Sequence, residues 1–353
     1  MTQRVLANVI TALLTGSPIE IHPRFNPMIG PSTYVLINMG ARFVPCMRST
    51  IGVQDSPVPI AWPCPNTTTT DPNSGSMQCQ LSELCGFSGV PNPKVGGSIN
   101  DTPQPDQWFR FIVPMFLHAG IVHIGFNMLL QLTLGREMES IIGSIRFALV
   151  YFSSGIFGFV MGGNFAASGI ASTGASGCLF GILALNLLDL LYTWGQRPSP
   201  VKDLMFILLD VIISFVLGLL PGLDNFSHIG GFLMGLVLGV CLLHSPSKLR
   251  ERIGETTPYE HETTFEPMRG GFEIQEEPDA GVKGFVKQPL GFFKGRKPLW
   301  WVWWLLRAGA LVGVFVAFIV LLNNFYKYRD QCKWCKYLSC LVRFLPFLRL
   351  EGI

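Results

Sequence analysis

Six stretches of the chain are apolar at nearly every position: Ile112 to Leu134, Phe147 to Gly162, Ser176 to Trp194, Leu204 to Leu220, Phe226 to Leu243 and Trp300 to Leu322. A helix rising about 1.5 Å per residue needs about 20 mostly apolar residues to cross a hydrocarbon core. The runs end in short joints of Gly, Pro and charge, such as Gly135-Arg136-Glu137 and Gln196-Arg197-Pro198. Inside lipid the backbone must satisfy its own hydrogen bonds, which leaves helices or closed barrels. Barrel strands would be polar at every second residue, and these runs are not. The pattern predicts an all-α polytopic membrane protein.

A shorter run, Val5 to Leu14, holds ten residues, half of what a span requires. Three readings are open for it: a signal-peptide core, an interfacial helix, or the remaining end of a longer span. Residues 15–107 read as a long polar loop rich in Pro, Gly, Ser and Thr. Residues 244–299 read as a largely disordered linker, because Ser245 to Lys297 carries nine Lys/Arg and nine Asp/Glu with few large apolar residues. The chain therefore divides into 1–14, the loop 15–107, a helical core 108–243, the linker 244–299, a C-terminal span 300–322 and a tail 323–353.

Composition narrows the class. Charged residues make up 14% of the chain, against roughly 25% in soluble domains. Apolar residues reach 49%, with 27 Phe and 8 Trp. That excludes a disordered chain and argues against a single water-soluble globule. The net charge of +3 is too small and dispersed for a nucleic-acid partner. The lipid bilayer is the first partner implied.

Lys and Arg bias orients a bundle. The joints after the first, third and fifth long spans hold 13 of them, taking the linker with the last. The opposite side has none in its two short loops, four in residues 15–107 and six in the tail, the tail running against the trend. Two glycosylation sequons, Asn66-Thr67-Thr68 and Asn100-Asp101-Thr102, lie in the first loop. Seven of nine cysteines fall in that loop or in the tail. Disulfides persist in oxidising compartments, so loop and tail are expected on the lumenal side. Cys332-x-x-Cys335 has no second Cys pair and no nearby His, which favours a disulfide over zinc.

Nucleophilic and ionisable side chains inside a membrane are costly and are candidates for function. The first span contains His118, His123 and Asn127; Gly174-Ala175-Ser176-Gly177 heads the third; Ser227-His228-Ile229-Gly230-Gly231 opens the fifth. His123 and Asn127 are four apart and share a helix face. His118, five residues before His123, falls about 140° away on a continuous helix, and is expected to tie down the adjoining loop. Ser176 begins a helix, beside N–H groups that favour negative charge, and Phe180 shares its face one turn on. His228, Gly231, Gly235 and Gly239 form one stripe, and Gly177, Gly181 and Ala184 another. Packing small against small would bring His228 to Ser176. Neutral imidazole is the usual base for a serine hydroxyl. His123 and Asn127 would then donate to an oxyanion, and Phe180 would hold the imidazole by stacking. No Asp is evidently placed to orient His228, so a Ser–His dyad is expected. Asp210, the one mid-span acid, has two open readings: a helix contact or a residue of a watery cavity.

The commonplace readings of these motifs are a close helix contact for Gly-Ala-Ser-Gly and a capping role for a lone interfacial His. Their combined order, depth and facing overturns them. The chain resembles the rhomboid intramembrane serine proteases. His-x4-His-x3-Asn matches His118, His123 and Asn127; Gly-x-Ser-Gly matches Gly174 to Gly177; the His-Gly element matches His228 with Gly230 and Gly231. Trp108, Arg110, Gly135, Glu139, Gly143 and Arg146 also match, and Asn26 to Pro31 resembles fungal secretory-pathway members.

The resemblance implies a rhomboid-like six-helix bundle plus a C-terminal seventh helix. It implies a serine in a water-filled cavity open to the lumenal or extracellular face, and no metal or cofactor. Substrates would be single-span membrane proteins cut in or near their spanning segment, in the endoplasmic reticulum, Golgi or plasma membrane. It also implies a full helix before Asn26, of which Val5 to Leu14 reads as a truncated remnant. Two other classes compete. An inactive relative that binds membrane clients would usually lack Ser176 or His228, and a transporter should show internal repeats or more intramembrane charge.

Overall fold

The computed structural model describes residues 19–23, 25–217, 224–253, 296–330, 332 and 335. Val5 to Leu14, most of the linker and most of the tail lie outside the described residues. The described elements are helical. Two short helices, α1 (Thr33–Asn38) and α2 (Leu81–Cys85), lie in the first loop. The long elements are α3 (Ile121–Leu130), continued by a π-turn into α4 (Arg136–Ile142), then α5 (Ser144–Phe165), α6 (Ser176–Tyr192), α7 (Pro200–Leu217) and α8 (Asn225–Leu242). A short α9 (Ser247–Ile253) and a long α10 (Pro298–Asn323) follow. By length and composition, Ser144–Phe165, Asn225–Ile253 and Pro298–Tyr328 can each cross a membrane, and Ser176–Tyr192 is a shorter apolar helix.

The centre of the bundle is α5, α6 and α8, and small residues set its spacing. Gly231 of α8 sits against the Gly177 backbone of α6, Gly235 against Gly181, and Gly158 of α5 against the Ser227 carbonyl. A Cβ at Gly231 would collide with the Gly177 carbonyl oxygen. Helices in lipid associate through such close packing, because lipid tails are as apolar as the side chains they replace. On the outer side of α6, Leu183 and Leu190 pack on Ile207 of α7. Beside α5, the buried Phe325 that follows α10 packs with Phe111, Met115 and Phe159. Asn324 donates to Asn164 Oδ1 at 2.9 Å, and Asn164 donates to the Leu321 carbonyl at 3.1 Å.

Three expectations change. The first apolar run is not one helix from Ile112. Residues Trp108–Phe111 and Val113–Phe116 are separate 3₁₀ turns, and helix begins only at Ile121. Pro114 lacks the N–H that an α-helix would use, and Leu117 is extended. The polar loop folds: Leu36, Ile37, Phe43, Leu81 and Leu84 form its own core, closed by the disulfides Cys46–Cys85 and Cys64–Cys79. Its apolar residues come in segments too short to show a period. Ser247–Ile253, at the start of the expected linker, is helical, and Ser247 Oγ donates to the Tyr192 carbonyl at 3.0 Å.

Two buried arginines organise the loop. Arg110 donates to the carbonyls of Ile37, Ala41 and Cys85 and to Gln107 Oε1. Burial lowers its guanidinium to about 9, so it remains charged at neutral pH. Arg42 pairs with Asp224 at the start of α8, 3.0 Å apart. The loop also caps α3: Ile29 and Met28 carbonyls accept from the Ile121 and Val122 N–H groups at 3.1 and 3.2 Å. These are donors that the first turn of a helix leaves unsatisfied.

Candidate active site

The α6–α8 contact places two side chains face to face. His228 Nε2 lies 2.8 Å from Ser176 Oγ, a hydrogen bond. Ser176 is the first residue of α6, and the turn before it depends on Gly174, whose φ is +121°. That backbone strains any residue with a Cβ. A Cβ at Gly174 would also come within 2.7 and 2.8 Å of His123 Cε1 and Nε2.

The His228 ring is stacked on Phe180, with centroids 4.5 Å apart and planes 12° from parallel. Its Nδ1 has no hydrogen-bond partner among the described residues. The nearby carboxylate of Asp224 does not touch it. Asp224 Oδ1 accepts from the Phe226 N–H, and Oδ2 accepts from Ser227 Oγ and Arg42 Nη2. Among the described residues no carboxylate bonds to this imidazole, and its ring contact is the stack on Phe180.

His123 and Asn127 stand on α3 across the cavity. The Ala119 N–H donates to His123 Nδ1 at 3.3 Å, so the ring proton belongs on Nε2, the edge that faces Gly174. Asn127 Nδ2 donates one N–H to the His123 carbonyl at 3.1 Å and keeps a second. His118 differs from expectation. It precedes the helix, so 100° per residue does not apply, and its ring meets that of His123 edge-on at 5.2 Å. His118 therefore backs His123 rather than facing away.

These groups line one cavity of about 120 Å³, with Ser176, His228, His123, Asn127 and Phe180 in its wall. That volume accommodates several waters. Its deeper wall is apolar, formed by Leu130, Leu134, Ile182 and Leu183. Ser176 to Leu183 advances about 10 Å along α6 at 1.5 Å per residue. Ser214 of α7 also lines the cavity, whereas Asp210, one turn earlier, is half-buried and does not. Among the described residues, no three His, Cys, Asp or Glu side chains cluster as a metal site would.

Sequence reasoning missed Met28, Phe126 and Ser214 in the cavity wall, and the Arg42–Asp224 pair. A signal existed for Asp224, since Asp directly before an apolar helical run reads as an N-cap. None existed for Arg42, whose partner lies 182 residues away.

Comparison with known proteins finds relatives of this sequence. Residues 105–245 match the family described as Rhomboid domain. Rhomboid-type serine protease 2 of Emericella nidulans is 58% identical over 93% of this chain. RHOMBOID-like protein 6, mitochondrial, of Arabidopsis thaliana is 30% identical over 78% of this chain and 84% of its own length. Inactive rhomboid protein 1 of Bos taurus is 29% identical over 74% of this chain, but over only 24% of its own length. The chain spans 65% of the length of the Emericella relative.

Proposed function

This chain belongs to the rhomboid family, and from that premise we propose that it is an intramembrane serine endopeptidase working through a Ser176–His228 dyad. The observation that carries the reading is the 2.8 Å contact between His228 Nε2 and Ser176 Oγ, inside a bundle of membrane-length helices. Relatives named inactive share the family, so membership alone does not decide activity. A complete dyad beside two unspent N–H donors favours catalysis.

In this mechanism neutral His228 takes the Ser176 proton as Oγ attacks a peptide carbonyl. The carbonyl electrons move to oxygen, and His123 Nε2–H and the second Asn127 N–H receive that charge, with the α6 N-terminus adding its dipole. The imidazolium returns its proton to the leaving amine as the C–N bond breaks. Water then repeats the sequence on the acyl-enzyme and frees Ser176. Stacking on Phe180 holds the ring through both steps.

The apolar depth of the cavity suits an unwound segment of a single-span membrane protein, which is the substrate class proposed. Helices α3 to α8 supply rhomboid core helices and α10 the additional C-terminal one. The loop that carries two disulfides lies at the dyad end, which suits a lumenal or extracellular site in the secretory pathway. Asn66 and Asn100 are both exposed there and should accept glycan. A band unchanged by endoglycosidase, with both positions labelled only from the cytosol, would reverse the orientation.

Purified protein in detergent, given a labelled single-span reporter, tests the activity. Ser176→Ala and His228→Ala should each lose cleavage by about a thousandfold or more while expressing normally. The double variant should be no worse than either single, because members of a catalytic unit are not additive. Substantial cleavage by Ser176→Ala would sink the mechanism.

A further inference from the structure

Arg42 touches both arms of the dyad without touching the dyad. Its backbone pairs with Ser172 in an isolated antiparallel bridge, each N–H donating to the other's carbonyl at 3.0 Å. Ser172 stands four residues before Ser176. The Arg42 side chain reaches the other arm: Nη2 donates to Asp224 Oδ2 at 3.0 Å, with side-chain exposures of 0% and 1%. Asp224 stands four residues before His228 and is the N-cap of α8, accepting from the Phe226 N–H. One residue of the loop thus grips the approach to the serine with its main chain and the approach to the histidine with its side chain.

Stability alone accounts poorly for this pair. Desolvating two charges is costly, and apolar replacements of similar volume often hold a fold equally well. Arg42 also leaves Nε and Nη1 without a hydrogen-bond partner among the described residues. Space is nonetheless kept for it: a Cβ at Gly162 of α5 would collide with Asp224 Oδ2. Among the described residues His228 has no carboxylate bonded to aim it, so its reach to Ser176 depends on where the first turn of α8 sits.

We propose that Arg42 is the positioning residue of the dyad, setting the Ser176–His228 distance by tying the segment before Ser176 to the N-cap before His228. The proposal rests on the protease reading above. It makes the folded loop part of the catalytic apparatus rather than a cover for it.

The test uses the full chain in detergent and reads four quantities for each variant: melting temperature, kcat and KM on the reporter, and the rate at which a fluorophosphonate phosphonylates Ser176, its phosphorus gaining the Oγ bond as fluoride leaves. Phosphonylation needs the dyad but no protein substrate. A parent chain that is neither phosphonylated nor active refutes the protease reading, and the proposal with it. With an active parent, the variants decide. Arg42→Met and Asp224→Asn each strand one buried charge and should lose both stability and rate. Arg42→Met/Asp224→Asn strands none and keeps an amide at the N-cap. It should melt within a few degrees of the parent, yet keep a kcat and a phosphonylation rate at least tenfold lower, with KM within twofold.

A double variant whose kcat recovers together with its melting temperature overturns the proposal. So does one that changes KM alone. A double variant that does not fold assigns the pair to stability, and overturns it as well.

Discussion

In the helical half, α8 meets α6 where Gly231 lies on the Gly177 backbone, and contact is made by leaving side chains out. In the loop half, two disulfides close a small core, and Arg110 gathers three carbonyls and Gln107 around one buried guanidinium. The solvent explains the contrast. Lipid gives helices no hydrophobic reason to associate, so close packing must do it. Water gives the loop a hydrophobic drive, but its core is small, and small cores need covalent ties. The dyad stands where the two kinds of construction meet, and each can be weakened separately.

The loop is the half to break hardest. Cys46–Cys85 closes 39 residues of chain and Cys64–Cys79 closes 15. On loop-closure entropy their loss costs about 4 and about 3 kcal/mol. Cys85 also supplies a carbonyl to Arg110, which holds the carbonyl of Ala41 beside Arg42. Cys46→Ala/Cys85→Ala should therefore lower both the melting temperature and reporter cleavage. Cys64→Ala/Cys79→Ala, at the far side of the loop, should lower the first and spare the second. Equal loss of cleavage in the two would mean that the loop acts as one block, with no route through Arg42.

The helical half is tested by one substitution at two glycines. Gly231→Ala pushes a methyl into the Gly177 carbonyl, which is backbone and cannot step aside. Overpacking of this kind costs about 1–3 kcal/mol, and here it also separates His228 from Ser176. Gly313→Ala on α10 meets nothing within 4 Å and should be neutral, or more stable by up to about 1 kcal/mol on helix propensity. If both variants melt and cleave alike, close approach is not what holds α6 to α8.

The same contrast governs what the sequence made visible. Glycine stripes and apolar runs are local patterns, so the facing of Gly177 and Gly181 toward Gly231 and Gly235 could be read from spacing alone. The runs around Ser176 and His228 became α6 and α8 nearly residue for residue. The loop resisted because its order comes from partners distant in sequence. Cys46 finds Cys85, Arg110 finds Ile37, and Arg42 finds Asp224. The facing of His118 escaped for a related reason. Periodicity presumes one continuous α-helix, and the chain between Val113 and Gly120 is not α-helical.

Within the site, Phe180 offers a smaller and more specific effect. The ring stacks on His228 at 4.5 Å and belongs to α6, so it links base and nucleophile through one helix. Phe180→Leu keeps most of the volume and removes the stack, which is worth about 1 kcal/mol. The expected result is a fall in kcat of about fivefold with little change in melting temperature. A drop in melting temperature with kcat intact would assign the ring to packing instead.

The smallest effect is expected where the helical half uses a polar tie. Asn324, just after α10, donates to Asn164 of α5 at 2.9 Å, and Asn164 in turn donates to the Leu321 carbonyl. Hydrogen bonds between membrane helices average only about 0.6 kcal/mol, because the separated helices find other partners. The neighbouring Phe325 stays buried against Phe111 and Phe159 whether or not that bond forms. Asn324→Ala should therefore lower stability by about 0.6 kcal/mol and leave kcat and KM unchanged, since the tie lies on the α5–α10 side and carries neither Ser176 nor His228. The decisive measurement is Asn324→Ala beside Gly231→Ala under identical detergent conditions. If the asparagine costs as much as the glycine, polar ties hold this bundle as strongly as close packing does, and the distinction between its two halves fails.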